Sequence, residues 1–193
     1  MTYPATNAAP LQAGPSGIAL PTTAFSRGAD RVIAWFGEIA SALWTILVLV
    51  IVLQVVARYA FGMGSIMMEE LQWHLYAIGF MLGLSFTEMR ERNVRIDVLA
   101  EGWQPRTRLW IEFGGIVFLL LTFSLFSLWF AVPFFLTSFE LHEVSAAPGG
   151  LPYRWFLKSF IVTAFALLAL AGCSRLSRVW VALFGRGQTQ GSH

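Results

Sequence analysis

Four long apolar segments constrain this chain more than any other feature. A helix needs about 20 mostly apolar residues to cross the hydrocarbon core of a bilayer, and segments at about 32–57, 69–90, 108–136 and 152–178 reach or approach that length. Only 12% of the residues are charged, against roughly a quarter in an ordinary soluble domain. The sequence therefore predicts an all-α membrane protein with four transmembrane helices.

The two ends of the chain differ in composition from these segments. Residues 1–28 are rich in Pro, Ala, Thr and Gly, and residues 184–193 are polar and Gly-containing. We expect both to be flexible tails on either side of a four-helix transmembrane domain that covers residues 29–183. The single cysteine, Cys173, excludes an internal disulfide or a redox pair of thiols within this chain.

Basic residues predict the orientation, because short cytoplasmic loops of membrane proteins are enriched in Lys and Arg. With a cytoplasmic N-terminus, the outer side receives only Arg58, Arg154 and Lys158 of the 13 basic residues. The inner side receives the others, which are Arg27, Arg31, Arg90, Arg92, Arg95, Arg106, Arg108, Arg175, Arg178 and Arg186. We therefore expect both termini to be cytoplasmic.

The segment between spans 2 and 3 has an amphipathic pattern. Val94, Val98 and Leu99 lie on one helical face, and the opposite face carries Arg95 and Asp97. This pattern favours a short helix on the inner membrane surface, although a solvated loop is the alternative.

Two adjacent acids, Glu69 and Glu70, open the second span. Carboxylates at a helix N-terminus favour the helix by about 0.3–1 kcal/mol each, which is a purely structural role. Glu70 and His74 share a helix face but lack a third metal ligand. The sequence also has no phosphate loop, no nucleophile motif and no basic patch with interleaved aromatics. We expect no enzyme activity, no metal, no cofactor and no nucleic-acid partner.

Two other features of the spans have competing interpretations. Glu38 is an acid inside the first span, and such acids often carry protons or cations. An autonomous small proton-coupled transporter that uses Glu38 is therefore the rival function. The structural alternative is that Glu38 extends to the membrane surface or pairs with Arg31. Gly79 and Gly83 have the spacing at which another helix can approach closely, although chance gives the same spacing in a Gly-containing span.

The order of these features resembles the small membrane subunit of tripartite ATP-independent periplasmic (TRAP) transporters, the DctQ family. Arg58 and Tyr59 end span 1, Glu69-Glu70-Leu71 opens span 2, and "NVRIDVL" follows at the inner surface. The likeness covers about residues 30 to 182. Where many members have a histidine before Val-Arg-Ile-Asp, this chain has Asn93, so we assign no proton role there.

The resemblance implies a non-catalytic scaffold subunit in a bacterial inner membrane. Its partners would be the lipid bilayer, a large membrane subunit that moves as an elevator, and a periplasmic substrate-binding protein. Transport would be ion-coupled, usually to sodium. The "GLPYRW" stretch at residues 150–155 resembles the branch that is paired with carriers of organic acids such as 2-oxo acids, or of mannitol or chloroaromatic acids. The expected partner-interface residues are Arg58, Glu69, Glu70, Gly79, Gly83, Glu140, Glu143, Arg154 and Trp155.

Overall fold

The computed structural model describes residues 12–13, 19–90 and 103–184, and this part of the chain is helical apart from two short strands and the connecting loops. The strands β1 (Gln12–Ala13) and β2 (Ala19–Leu20) form an antiparallel pair. The helical segments are α1 (Ala24–Phe61), α2 (Ile66–Met89), α3 (Pro105–Gly114), a π-helix (Gly115–Leu121), α4 (Thr122–Glu140) and α5 (Arg154–Phe184).

Helix α1 begins earlier than the composition indicates. The Thr23 hydroxyl accepts a hydrogen bond from the Ser26 N–H, and the Ser26 hydroxyl oxygen accepts one from the Thr23 N–H, both at 3.0 Å. This reciprocal capping box satisfies backbone donors that would otherwise have no partner at the helix start. The helix therefore begins inside the segment predicted as a flexible tail, residues 1–28.

A tight turn reverses the chain between α1 and α2. Gly62 has a φ of 65°, a conformation in which glycine avoids the steric cost that a Cβ would bring. Its N–H donates to the Arg58 carbonyl, and the Met63 N–H donates to the Ala57 carbonyl. The bond from Gly62 to Arg58 ends α1 as an αL motif, in which the N–H after the helix end returns to a carbonyl four residues earlier, and α2 then returns alongside α1.

Helices α3 and α4 join through the π-helix into one run, Pro105–Glu140. Pro105 suits the first helical position, because a proline lacks only an N–H that has no partner there. Just after the π-helix, the Thr122 hydroxyl donates to the carbonyl of Val117, five residues earlier and inside the π-helix, at 3.0 Å.

Helix α5 lies at the centre of the described structure. It contacts α1 and α2 on one side and α3, the π-helix and α4 on the other. The larger apolar core joins α1, α2 and α5 through Ile33, Ala40, Ile78, Leu82, Leu167 and Ala171. A second core joins β2, α3, the π-helix and α5 through Leu20, Leu109, Ile116 and Val179.

Three helical runs of the described part are long and apolar enough to cross a membrane: Ala24–Phe61, Pro105–Glu140 and Arg154–Phe184. The second predicted span coincides with α2, a helix of 24 residues that does not reach the same apolar content. Gln72 and His74, together with Glu69, Glu70 and Glu88, account for its lower hydropathy. The expected amphipathic helix falls on residues 91–102, outside the described residues.

Candidate functional site

One group of polar side chains joins α1 to α2 near the turn between them. We call Gln54, Arg58, Glu69 and Gln72 the α1–α2 polar cluster. Arg58 Nη2 lies 2.9 Å from Glu69 Oε1, and Gln54 Nε2 donates to the same carboxylate at 3.3 Å. Gln72 Nε2 in turn donates to Gln54 Oε1. Glu69, one of the acids at the start of α2, is therefore bound by two side chains of α1.

The second acid, Glu70, faces away from this cluster and holds the loop between α4 and α5. Its carboxylate accepts a hydrogen bond from the Ser145 hydroxyl and another, at 2.6 Å, from the Leu151 N–H. A side chain at Gly150 would crowd this contact, because its Cβ would lie 2.7 Å from Glu70 Oε2 and 2.6 Å from Ser145 Oγ, so one of them would have to move. Glu70 therefore joins the start of α2 to the α4–α5 loop.

A third acid, Glu143, stabilises the same loop from within. The Ser138 hydroxyl donates to its Oε2 at 2.6 Å, and the Lys158 ammonium of α5 pairs with the same oxygen. The Lys158 ammonium also lies 4.0 Å from the centre of the Phe134 ring. The hydrogen bonds from Lys158 and Ser138, with the charges of Lys158 and Arg154, lower the pKa of Glu143, and partial burial opposes that shift.

The remaining predicted residues of this end of the molecule differ in exposure. Glu140 and Arg154 are exposed, and the main-chain N–H of Arg154 donates to the Glu143 carbonyl at 3.0 Å. Trp155 is half-buried, with its ring edge-on to Phe139 at 5.2 Å. A partner would therefore meet the side chains of Glu140 and Arg154 before that of Glu143.

The two glycines of α2 have different surroundings. Gly79 is buried, and a Cβ added to it would lie 3.4 Å from Trp44 Nε1 on α1. Gly83 has nothing within 4 Å of such a Cβ. Gly79 thus serves the α1–α2 contact within the chain, whereas Gly83 leaves space at the surface. Gly37 of α1 also lies against α2, because a Cβ added to it would meet the Phe86 ring at 2.2 Å.

A cluster of ion-paired side chains at the other end of the bundle was not predicted from the sequence. Asp30 of α1 accepts a hydrogen bond from Ser174 Oγ at 2.8 Å and pairs with Arg178, both on α5. Arg175, also on α5, pairs with Glu112 of α3. The sequence signal was present, because Arg175 and Arg178 are three apart on one helical face, but the sequence pattern assigned them only to the inner side of the membrane.

The remaining candidate residues are His74, considered as a metal ligand, and Glu38, considered as a transport residue. His74 Nδ1 lies 2.7 Å from the main-chain carbonyl of Glu70 rather than from its carboxylate. Within residues 12–13, 19–90 and 103–184, no three His, Cys, Asp or Glu side chains come together as metal ligands would. Glu38 is exposed on α1, and among these residues it forms no ion pair with Arg31.

The fold and these clusters define an α-helical membrane protein whose ionised side chains join its helices. Residues 47–182 match the family model described as "Tripartite ATP-independent periplasmic transporters, DctQ component". The chain therefore belongs to the DctQ family of TRAP transporter components. No curated protein matches the chain.

Proposed function

We propose that this protein is the non-catalytic scaffold subunit of a TRAP secondary transporter that takes up an organic acid with an ion gradient. In this role it braces a large membrane subunit and takes no part in binding the substrate. The family match supports the general assignment, and the arrangement of charges within the bundle supports the passive role.

The observation that carries the proposal is that the buried ionisable groups of the bundle face one another. Arg178 is bound to Asp30, and Arg175 to Glu112. Arg178 is 9% exposed and Arg175 is 6% exposed. Buried charges in a membrane protein are costly unless they are paired, and removing one partner of a buried pair is strongly destabilising. Such pairs fix the helices relative to one another, as a brace requires.

We further propose that α2 is the fourth transmembrane helix and that both termini are cytoplasmic. At 1.5 Å per residue a helix of 24 residues is about 36 Å long, enough for a hydrocarbon core of about 30 Å. Its polar residues Glu69 and Gln72 are bound to α1, which lowers the cost of placing them near the membrane. The membrane would be the bacterial inner membrane.

Assembly with the large subunit tests the scaffold role. The chain and a large TRAP membrane subunit are produced together, and one tagged partner is purified in mild detergent. We expect a stable complex that supports uptake in vesicles containing the binding protein, and loss of uptake when the small chain is omitted. Uptake by the large subunit and binding protein alone, at an equal rate, would contradict a scaffold role.

The same preparation distinguishes the rival transporter. Glu38→Gln should leave uptake by the complex within a few-fold of the parent, since Glu38 is exposed and outside the ion pairs of the bundle. Uptake by the small chain alone, abolished by Glu38→Gln, would instead support the autonomous function.

The exposed residues at the α4–α5 loop are proposed to meet the periplasmic binding protein. Glu140 and Arg154 are the charged pair that a transient partner would contact, and rim charges affect the association rate more than affinity. Reversal of both, Glu140→Lys with Arg154→Glu, should lower uptake at limiting binding protein and allow recovery at saturation. Glu143 is unsuitable for this test, because its substitution would disrupt the loop itself.

A further inference from the structure

A pocket lies on the α1–α2 surface, beside the α1–α2 polar cluster. Its volume is about 400 Å³. Arg58, Glu69 and Gln72 form its polar part, and Ile51 and Val55 form an aliphatic wall farther along α1. The pocket thus combines a charged end with an aliphatic wall on α1.

The charged end presents both signs of charge side by side. Arg58 and Glu69 are 2.9 Å apart, and their side chains are 57% and 44% exposed. A guanidinium has five N–H donors and a carboxylate about four acceptor positions, so each can bind a further group while they remain paired. Gln54, which is 9% exposed, holds Glu69 in place at 3.3 Å. These features favour a ligand that itself carries adjacent negative and positive charges.

The walls indicate where the rest of that ligand would lie. Tyr59 and Trp73 flank the charged end and are 84% and 69% exposed. Such amphipathic rings are typical of the level of lipid headgroups. Ile51 and Val55 are also partly exposed and belong to a helix long and apolar enough to cross a membrane. An apolar chain attached to the charged group would pack against them.

We propose that this pocket binds a phospholipid with an ethanolamine headgroup, its phosphate at Arg58 and its ammonium at Glu69. A lipid is favoured over a soluble phosphate ester because the aliphatic wall has no role for a ligand without acyl chains. The ammonium distinguishes this lipid from anionic phosphatidylglycerol, which offers Glu69 no positive charge. The inference requires α1 to lie in a membrane but does not depend on the transporter role.

The test measures lipids retained by the purified full-length chain in native mass spectrometry. After equilibration with equal amounts of phosphatidylethanolamine and phosphatidylglycerol, we expect a preference of about tenfold for the ethanolamine lipid, as a charge-assisted hydrogen bond would give. Glu69→Gln should reduce that preference to near unity, whereas Arg58→Gln should reduce retention of both lipids. Val55→Trp, which fills the space along the aliphatic wall without changing a charge, should also reduce the retention of both lipids.

Controls separate the pocket from general surface effects. Glu140→Gln removes another exposed acid that does not line the pocket, so it should keep the preference of the parent. Free phosphoethanolamine at millimolar concentration should not displace the lipid. Equal retention of the two lipids by the parent, no change in Glu69→Gln, or displacement by the free headgroup would each overturn the proposal.

Discussion

At the scale of single residues, neighbouring acids of the same type have unrelated partners. Glu69 pairs with Arg58 on α1, whereas Glu70 binds Ser145 and Leu151 in a loop more than 70 residues later. Consecutive residues of a helix point in directions about 100° apart, so adjacent side chains reach different elements. The two acids at the start of α2 therefore organise two separate contacts rather than one charged surface.

Glu143 provides a prediction of pH dependence. Because hydrogen bonds from Lys158 and Ser138 lower its pKa in the folded protein, its ionised form stabilises the loop at neutral pH. This contribution should be fully present above the pKa of the unfolded chain and disappear as the pH falls through the lowered pKa. Thermal unfolding in detergent, measured from neutral pH to about pH 3, should show stability falling with acid.

Glu143→Gln should lower stability at neutral pH and flatten this acid-dependent fall. Glu140→Gln is the matched control, because Glu140 is an exposed acid of the same region and should keep the pH profile of the parent. An unchanged profile in Glu143→Gln would show that the loop does not depend on this carboxylate.

At the scale of helices, α1 and α2 are joined by close packing at one end and by polar contacts at the other. Gly37 lies against Phe86 near one end of the pair, and the Gln54–Gln72 hydrogen bond lies near the other. Small residues let helices approach closely in a membrane, where packing and hydrogen bonds drive association. These two contacts together set the alignment of α2 on α1.

Gly37→Ala tests the close contact. The added Cβ would lie 2.2 Å from Phe86 Cδ2 and 2.7 Å from Cγ, so the ring or the helix must move, and overpacking of this kind costs about 1–3 kcal/mol. We expect lower thermal stability of the purified protein in detergent. Gly28→Ala, in the same helix with nothing within 4 Å, should leave stability unchanged or raise it by up to about 1 kcal/mol.

A second substitution distinguishes crowding from loss of glycine itself. Phe86→Leu should restore part of the stability of Gly37→Ala, because a smaller side chain leaves space for the Cβ. Equal stability of Gly37→Ala and Gly28→Ala would argue against a tight contact at this position.

At the scale of the whole molecule, α5 determines the architecture. Among the residues that the structure describes, it contacts every other helix and the π-helix. Its Lys158 pairs with the α4–α5 loop, its Arg175 with α3 and its Arg178 with α1. The basic residues that predict orientation therefore also hold the bundle together. Arg175 and Arg178 are buried within α5, so they are weaker evidence for the membrane orientation than basic residues in loops are.

Fusions to alkaline phosphatase, which is active only outside the cytoplasm, test the four-span arrangement. A fusion after Val144, in the α4–α5 loop, should be active, and one after Arg186 should be inactive. The reason is that α5 would return the chain to the side of the N-terminus. Activity after Arg186, or an inactive fusion after Val144 that is produced in normal amounts, would rule out four spans with cytoplasmic termini.

The sequence by itself determined the helical membrane class and the family. Long apolar runs and an ordered set of local motifs can be recognised without knowing which residues are in contact in the folded chain. The apolar run within 105–140 was predicted in this way, whereas its π-helical segment, Gly115–Leu121, was not, since its apolar residues continue the same hydrophobic run without a local break. Only the tertiary structure decided which polar groups meet. Asp30 and Arg178 are separated by 148 positions, and no local periodicity links them. Their pairing follows from the antiparallel packing of α1 and α5, which only the folded chain establishes.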